Sequence, residues 1–224
     1  MCYNKSVIQK LGELQKQYEL FKPVNEKDAF DELPLYNALR LQKLPIIAER
    51  DGKLHAFKAL WWLIPHWSAS GKPEVTAFNA RVETVDKSRL FAPYFKSSRC
   101  LIPVGAFYEY SADEIVEIEI NGKLKRVKQP YLVRMKNNEP FALAGIFSVW
   151  VDKKTGEELP TYSVLTTEPN EVIGRMHDRM PVILDKRNFK MWLDPEYQDT
   201  EKLKKIIQES YPASRMKAEK VNAE

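Results

Sequence analysis

Four places in the chain carry side chains whose chemistry exceeds what packing requires. Cys2 follows Met1 directly. Once Met1 is removed, Cys2 holds an α-amine of pKa ~8 and a thiol of pKa ~8.5 on adjacent carbons. Such a 1,2-aminothiol is a double nucleophile: the amine condenses with an aldehyde, and the thiol closes the resulting imine into a five-membered thiazolidine. Asn79 and Arg81 share a second segment, where neither side chain is what a plain core requires. Glu109 is the one carboxylate in the otherwise apolar aromatic run Phe107-Tyr108-Glu109-Tyr110. His177 stands beside Asp178 and Arg179. Each has a plainer reading: a small apolar cysteine, an asparagine capping a turn, a glutamate paired with a base, a satisfied loop histidine.

Composition narrows the classes. The 224 residues are 44% hydrophobic, enough for a real core, and point to one domain over 1–224. No apolar run of ~18 residues and no secretory N-terminus is present, so a cytoplasmic protein without a membrane partner is expected. Cys2 and Cys100 lie far apart, and His55, His66 and His177 are scattered, so neither a disulfide framework nor a metal site is expected, and no cofactor. Thirty-five Lys and Arg against 31 Asp and Glu leave a net charge of +4, which permits a nucleic-acid partner without requiring one.

The elements that must position these residues read as follows. Apolar residues at helical spacing predict an amphipathic helix over 6–21 capped by Ser6, followed by an unresolved loop over 33–38. Residues 44–50 and 53–60 read as a hairpin across Asp51-Gly52. Three tryptophans, Trp61, Trp62 and Trp67, precede a polar loop over 68–74 expected to be mobile, so an aromatic face could stack on an unpaired base there. A short helix or turn is expected over 88–94, and 99–104 reads as a buried strand with Cys100 as a core thiol. Residues 111–129 form a charged hairpin turning at Asn121-Gly122. Further strands are expected over 131–135, 141–151, 161–167 and 216–221, and helices over 171–176, 188–193 and 200–210. The total is an α+β domain, mostly antiparallel strands curled into a barrel-like sheet with flanking helices.

Together the outlying residues resemble the SRAP (SOS response-associated peptidase) family. The resemblance is carried by Met1-Cys2, Trp62-Leu63-Ile64-Pro65-His66-Trp67, Asn79-Ala80-Arg81-Val82-Glu83-Thr84, Arg99-Cys100-Leu101-Ile102-Pro103, Phe107-Tyr108-Glu109-Tyr110, Ala144-Gly145-Ile146-Phe147 and His177-Asp178-Arg179-Met180-Pro181. Three departures stand out. Tyr3-Asn4 replaces the family's Gly-Arg, with its backbone-contacting arginine; the family's Trp-Gly is Trp61-Trp62 or Trp62-Leu63; and Tyr110 replaces a tryptophan after the glutamate.

The resemblance implies a protein that binds single-stranded DNA and links covalently and reversibly to abasic sites through Cys2, shielding the lesion. It implies a catalytic set of Cys2, Asn79, Glu109 and His177, and a DNA-binding set of Arg81, Trp67, Asn37 and Arg179. Glu109, its pKa raised among its aromatic neighbours, would shuttle protons, His177 would hydrogen-bond the opened sugar, Asn79 would orient Cys2 or the new ring, and Arg81 would hold the adjacent phosphate as a bidentate fork. The family name also implies peptidase or self-processing activity before Cys2, and lyase-like chemistry on DNA. A monomer is expected. Two alternatives stay open: an N-terminal-cysteine peptidase or autoprotease, and a non-catalytic single-strand binder in which Cys2 is idle.

Overall fold

The computed structural model describes residues 4–6, 38–39, 41–120 and 122–222. Of the helix expected over 6–21, Ser6 is the last residue of strand β1 (Asn4–Ser6), and the remainder lies outside the described residues. So do Cys2 and Asn37, and so does the loop over 33–38 except for Ala38, which begins β2 (Ala38–Leu39).

The first long hairpin is as expected. β3 (Lys43–Arg50) and β4 (Lys53–Trp61) pair antiparallel from Arg50↔Lys53 to Lys43↔Leu60. Asp51 (φ 55°) and Gly52 (φ 74°) both take left-handed backbone, the two-residue turn whose twist matches that of the strands. β6 (Arg99–Val104) is buried at every position and pairs with β3 on one side and β9 (Phe141–Val151) on the other. β9 also pairs antiparallel with β10 (Glu158–Thr167) and, at its start, with β12 (Ile183–Leu184), and β10 lies parallel to the end of β4 at Thr161↔Leu60 and Tyr162↔Trp61. The ring β4-β3-β6-β9-β10 therefore closes on itself, which removes the exposed edges of an open sheet.

Alternation along these strands sorts their side chains into two cores. Leu44, Ile46, Trp61, Cys100, Ile102, Leu143, Tyr162 and Val164 belong to one that fills the barrel and continues to Phe107 and Val133 of a second sheet. Trp61 and Tyr162 stack there, ring centroids 6.5 Å apart, and Cys100 is the buried core thiol expected from sequence. So small a barrel has little spare volume at its centre. A Cβ on Gly145 would sit 3.0 Å from Cys100 Sγ and from the Ser163 carbonyl and would collide with Ile102. Gly145→Ala is therefore expected to destabilise the fold by about 1–3 kcal/mol through overpacking. Thermal unfolding checks this, and an unchanged melting temperature would show that the wall yields at that point.

The other core lies between the barrel wall and three short helices, α1 (Ala92–Ser97), α2 (Phe189–Leu193) and α3 (Thr200–Gln208). Arg99 joins the first two to the barrel. Its buried guanidinium donates to the carbonyls of Phe95 (3.0 Å), Lys96 (2.6 Å), Trp192 (2.6 Å), Tyr197 (3.0 Å) and Asp194. Burial lowers its pKa to about 10, so it stays charged at neutral pH and satisfies carbonyls at the ends of both helices.

The second sheet is built on β7 (Ala106–Ile120) and β8 (Lys123–Met135), flanked by β1 on β7 and by β13 (Met216–Lys220) on β8, with β2 beyond β1. The strand expected over 131–135 is thus the continuation of the charged hairpin. One expectation is corrected: 171–176 is a run of turns, not a helix. The Asn170 carbonyl accepts from Gly174 and the Ile173 carbonyl from both Met176 and His177, while the Asn170 side chain accepts from the Val172 and Ile173 amides. Gly174 and the β-branched Val172 and Ile173 leave little helix propensity to extend that turn. No helix among the described residues is long and apolar enough to cross a membrane.

Candidate active site

The site forms where β10 leaves the barrel. β5 (Asn79–Arg81) lies parallel to the end of β10, pairing Val164↔Asn79 and Thr166↔Arg81. On the other flank β11 (Met180–Pro181) pairs Thr167↔Met180 and Thr166↔Pro181, which brings the 177–179 segment to the same end. Two segments nearly a hundred residues apart are thereby joined across one strand, and a fork of hydrogen bonds fixes the junction. Arg179 Nη1 and Nη2 donate to Glu83 Oε1 (2.7 Å) and Oε2 (2.9 Å), and Nη2 also donates to the Thr166 carbonyl at 2.6 Å. Burial works against the Glu83 carboxylate, but the Arg179 fork outweighs it and holds the pKa below the ordinary range.

Period-two alternation sets what each β5 residue does. Ala80 points into the helix-side core, leaving Asn79 and Arg81 on the opposite face. Arg81 is exposed. Asn79 presents a buried amide whose oxygen and nitrogen have no hydrogen-bond partner among the described residues. Two unsatisfied buried groups cost about 1–3 kcal/mol each, which makes this amide a candidate to orient a bound group.

Glu109 lies on β7 opposite Tyr131 and is only 1% exposed. Burial pushes its pKa up to about 7; the negative charge of Asp178 adds to the rise, and the Tyr110 backbone amide opposes it. The sequence expectation of a raised carboxyl pKa is met, and burial is the main cause. The Asp178 charge also bears on His177, so the β7 strand and the 177–179 segment share one locale.

His177 is half-buried, and burial lowers its pKa, partly countered by Asp178. Its Nδ1 has two neighbours, the Arg179 amide at 2.9 Å and Asp178 Oδ1 at 2.8 Å, which demand opposite protonation of that atom. The amide cannot do other than donate, Asp178 is 81% exposed and solvated, and burial favours the neutral ring. Nδ1 therefore accepts from Arg179, and the proton sits on Nε2, where it can be offered to an oxygen.

The tryptophans divide. Trp61 is core and donates to the Phe78 carbonyl, and Trp62 donates to that of Val75. Trp67 is 52% exposed and stacks on Tyr94 with centroids 6.0 Å apart and planes 12° from parallel. Tyr94 Oη in turn accepts from the His66 amide at 2.9 Å. The 68–74 loop is braced at its start: Trp150 Nε1 donates to the Ser68 carbonyl, and Ser68 Oγ accepts from the Ser70 and Gly71 amides.

Comparison with known proteins decides the family. The model of SRAP, "SOS response associated peptidase", matches residues 1–224. The chain belongs to the SRAP family. It is 31% identical over its whole length to "Abasic site processing protein YoqW" of Bacillus subtilis, covering 93% of that protein. It is 26% identical over 74% of its length to "Abasic site processing protein YedK" of Escherichia coli, covering 67% of that protein. A solved structure from Bacteroides thetaiotaomicron superposes with a TM-score of 0.81 at 24% identity, covering 99% of this chain and 93% of that one, and shows the same fold.

In this SRAP chain the geometry gathers Asn79, Arg81, His177 and Arg179 at the end of β10 and couples Glu109 to them through Asp178. It places Arg179 in a fork with Glu83. Sequence reasoning missed that fork, although Glu83 lies within the Asn79 to Thr84 motif and supplies the carboxylate that pairs with the Arg179 guanidinium. It also missed Tyr94 as the support of Trp67 and Lys128 as a charge bearing on His177. No local pattern marks either of these, because each acts across the fold.

Proposed function

We propose that this chain processes abasic sites in single-stranded DNA by forming a thiazolidine between Cys2 and the ring-opened deoxyribose. The observation that carries the reading is Glu109, a buried carboxyl with a pKa of about 7, next along β7 to the residue that pairs with the start of the chain. β1 pairs Asn4 with Tyr108, and Cys2 precedes Asn4 by two residues, a reach of no more than ~7 Å. The relatives named as abasic site processing proteins support the same substrate.

The chemistry balances without a cofactor. The Cys2 amine adds to the aldehyde carbon to give a carbinolamine. Glu109 in its acid form protonates the hydroxyl, which leaves as water and gives the iminium, whose nitrogen proton returns to the Glu109 carboxylate to leave the imine. The Cys2 thiol then adds to the imine carbon, its proton passing to nitrogen, and the ring closes with one water lost overall. Reversal needs the same proton returned, which a carboxyl titrating near 7 can supply in either direction. His177 Nε2 offers a hydrogen bond to the opened sugar, and the Asn79 amide orients the Cys2 backbone or the new ring. Arg81 and the Trp67–Tyr94 stack bind the strand, and Arg179 contributes by holding the 177–179 segment in place.

Incubating the processed protein with single strands that do or do not carry one abasic site tests this. A heat-stable adduct is expected on the abasic strand alone; peptide cleavage without an adduct would favour the peptidase reading, and binding without either would favour a plain binder. Arg81→Ala is expected to weaken binding to any single strand and lower the log-log salt slope by ~0.7, one phosphate's worth. An unchanged slope in salt titrations would make Arg81 structural.

A further inference from the structure

Beyond Tyr110 and Pro130 the β7–β8 pair leaves its sheet. β1 covers β7 only at Ala106 to Tyr108, and β13 covers β8 only at Tyr131 to Met135. After a register break between Tyr110 and Ile115, the strands pair from Ile115↔Lys128 to Ile120↔Lys123, with no third strand among the described residues. A two-stranded ribbon on its own is marginally stable in water, so one this long needs a use. Its base is clasped: Tyr131 Oη donates to Glu114 Oε1 at 2.9 Å, and Lys220 Nζ meets Glu114 Oε2 at 2.7 Å. The ribbon is therefore held at a fixed root beside the site.

Its charges are arranged unequally. Glu114 is neutralised in the clasp, Glu117 stands opposite Arg126, and Glu119 stands opposite Leu124 on the same face as Glu117, away from Lys123 and Lys125. Lys123, Lys125 and Lys128 stand opposite Ile120, Ile118 and Ile115, so none has a carboxylate across the ladder, and all three are exposed. The face holding Val116, Ile118, Val127, Lys123 and Lys125 carries no acid at all. Leu124, between the two distal lysines at the tip, is 73% exposed. At the root, Lys128 is near enough to His177 for its charge to disfavour the imidazolium.

We infer that the 111–129 ribbon is a nucleic-acid arm whose lysines grip the phosphodiester backbone flanking the residue bound at the site. The inference rests on the DNA reading above. A cationic strand rooted beside the substrate's reacting carbon meets the same polyanion a few nucleotides away, and uncompensated lysines gain most from releasing its counterions.

The test compares Lys123→Gln/Lys125→Gln with the parent and with Lys153→Gln/Lys154→Gln, a control at exposed lysines of the β9–β10 turn. Affinity is measured across 50–200 mM salt on a single strand and on a single-strand/duplex junction, with thermal unfolding of each protein alongside. The arm variant is expected to keep its melting temperature and to lose about 1.4 from the single-strand slope, or about 1.8 on the junction alone if the arm lies on duplex. On the single strand its affinity would then fall about sevenfold less steeply than the parent's across that salt range. A parent that binds and cross-links while the variant's slope matches it would overturn the arm alone. An equal loss in the control pair would do the same, because it would make the effect one of net charge. A parent that binds no DNA would overturn the arm together with the function it rests on.

Discussion

Cys2→Ala is expected to abolish the heat-stable adduct with abasic single-stranded DNA while leaving non-covalent binding of an intact strand close to the parent's. The substitution removes the thiol but keeps the α-amine, so the imine can form and nothing can close it. An open imine hydrolyses readily, and denaturation would release the DNA. Cys2→Ser retains the amine and a far weaker nucleophile, and transient imine formation in that variant can nick the strand by elimination. An uncleavable residue placed before Cys2 is the sharper probe, because it leaves the thiol intact and turns the amine into an amide. Loss of the adduct in that variant, read on a denaturing gel beside a binding titration, assigns the chemistry to the aminothiol pair. An adduct that survives it would refute the thiazolidine.

The barrel strands were legible because each announces itself locally. Alternating or continuous apolar runs marked β3, β4, β6, β9 and β10, and Asp51-Gly52 fixed the hairpin with two residues suited to left-handed backbone. Closure of the ring was not legible in detail, since the parallel contact of β10 with β4 rests on pairs a hundred residues apart. The helix expected over 171–176 failed because its apolar residues follow an Asn170 cap that closes one turn and hands the chain to His177. Among the candidate site residues, Asn79, Arg81, Glu109 and His177 could be picked out because their side chains are chemically out of place. The role of Arg179 could not be read that way. A guanidinium beside a histidine reads equally as a phosphate ligand or a brace, and its 12% exposure and the Glu83 fork support the brace.

Glu109→Gln is expected to slow both formation and reversal of the adduct by about 100-fold or more, with affinity for intact single strands nearly unchanged. The amide keeps the shape of the acid and cannot exchange its proton. The parent's imine-forming step, which uses the protonated carboxyl, should decline as pH rises through about 7, and the variant should lack that inflection. Stability supplies an independent check with a definite sign. The folded pKa of about 7 lies above the ~4.3 of an unfolded glutamate, so between those values the native state binds more protons than the unfolded chain. Stability therefore falls as pH rises across that window, and by pH 8 the buried charge costs the parent up to about 4 kcal/mol. Glutamine carries no such charge. The melting temperature of the variant relative to the parent should therefore climb from pH 4 to pH 8, so that the slower protein is the more stable one at neutral pH. A carboxylate kept for a structural ion pair would give the opposite result, a variant that loses stability above pH 5 and DNA affinity with it. Adduct kinetics and thermal unfolding measured over the same pH range distinguish the two, and normal kinetics in a destabilised variant would remove Glu109 from the chemistry.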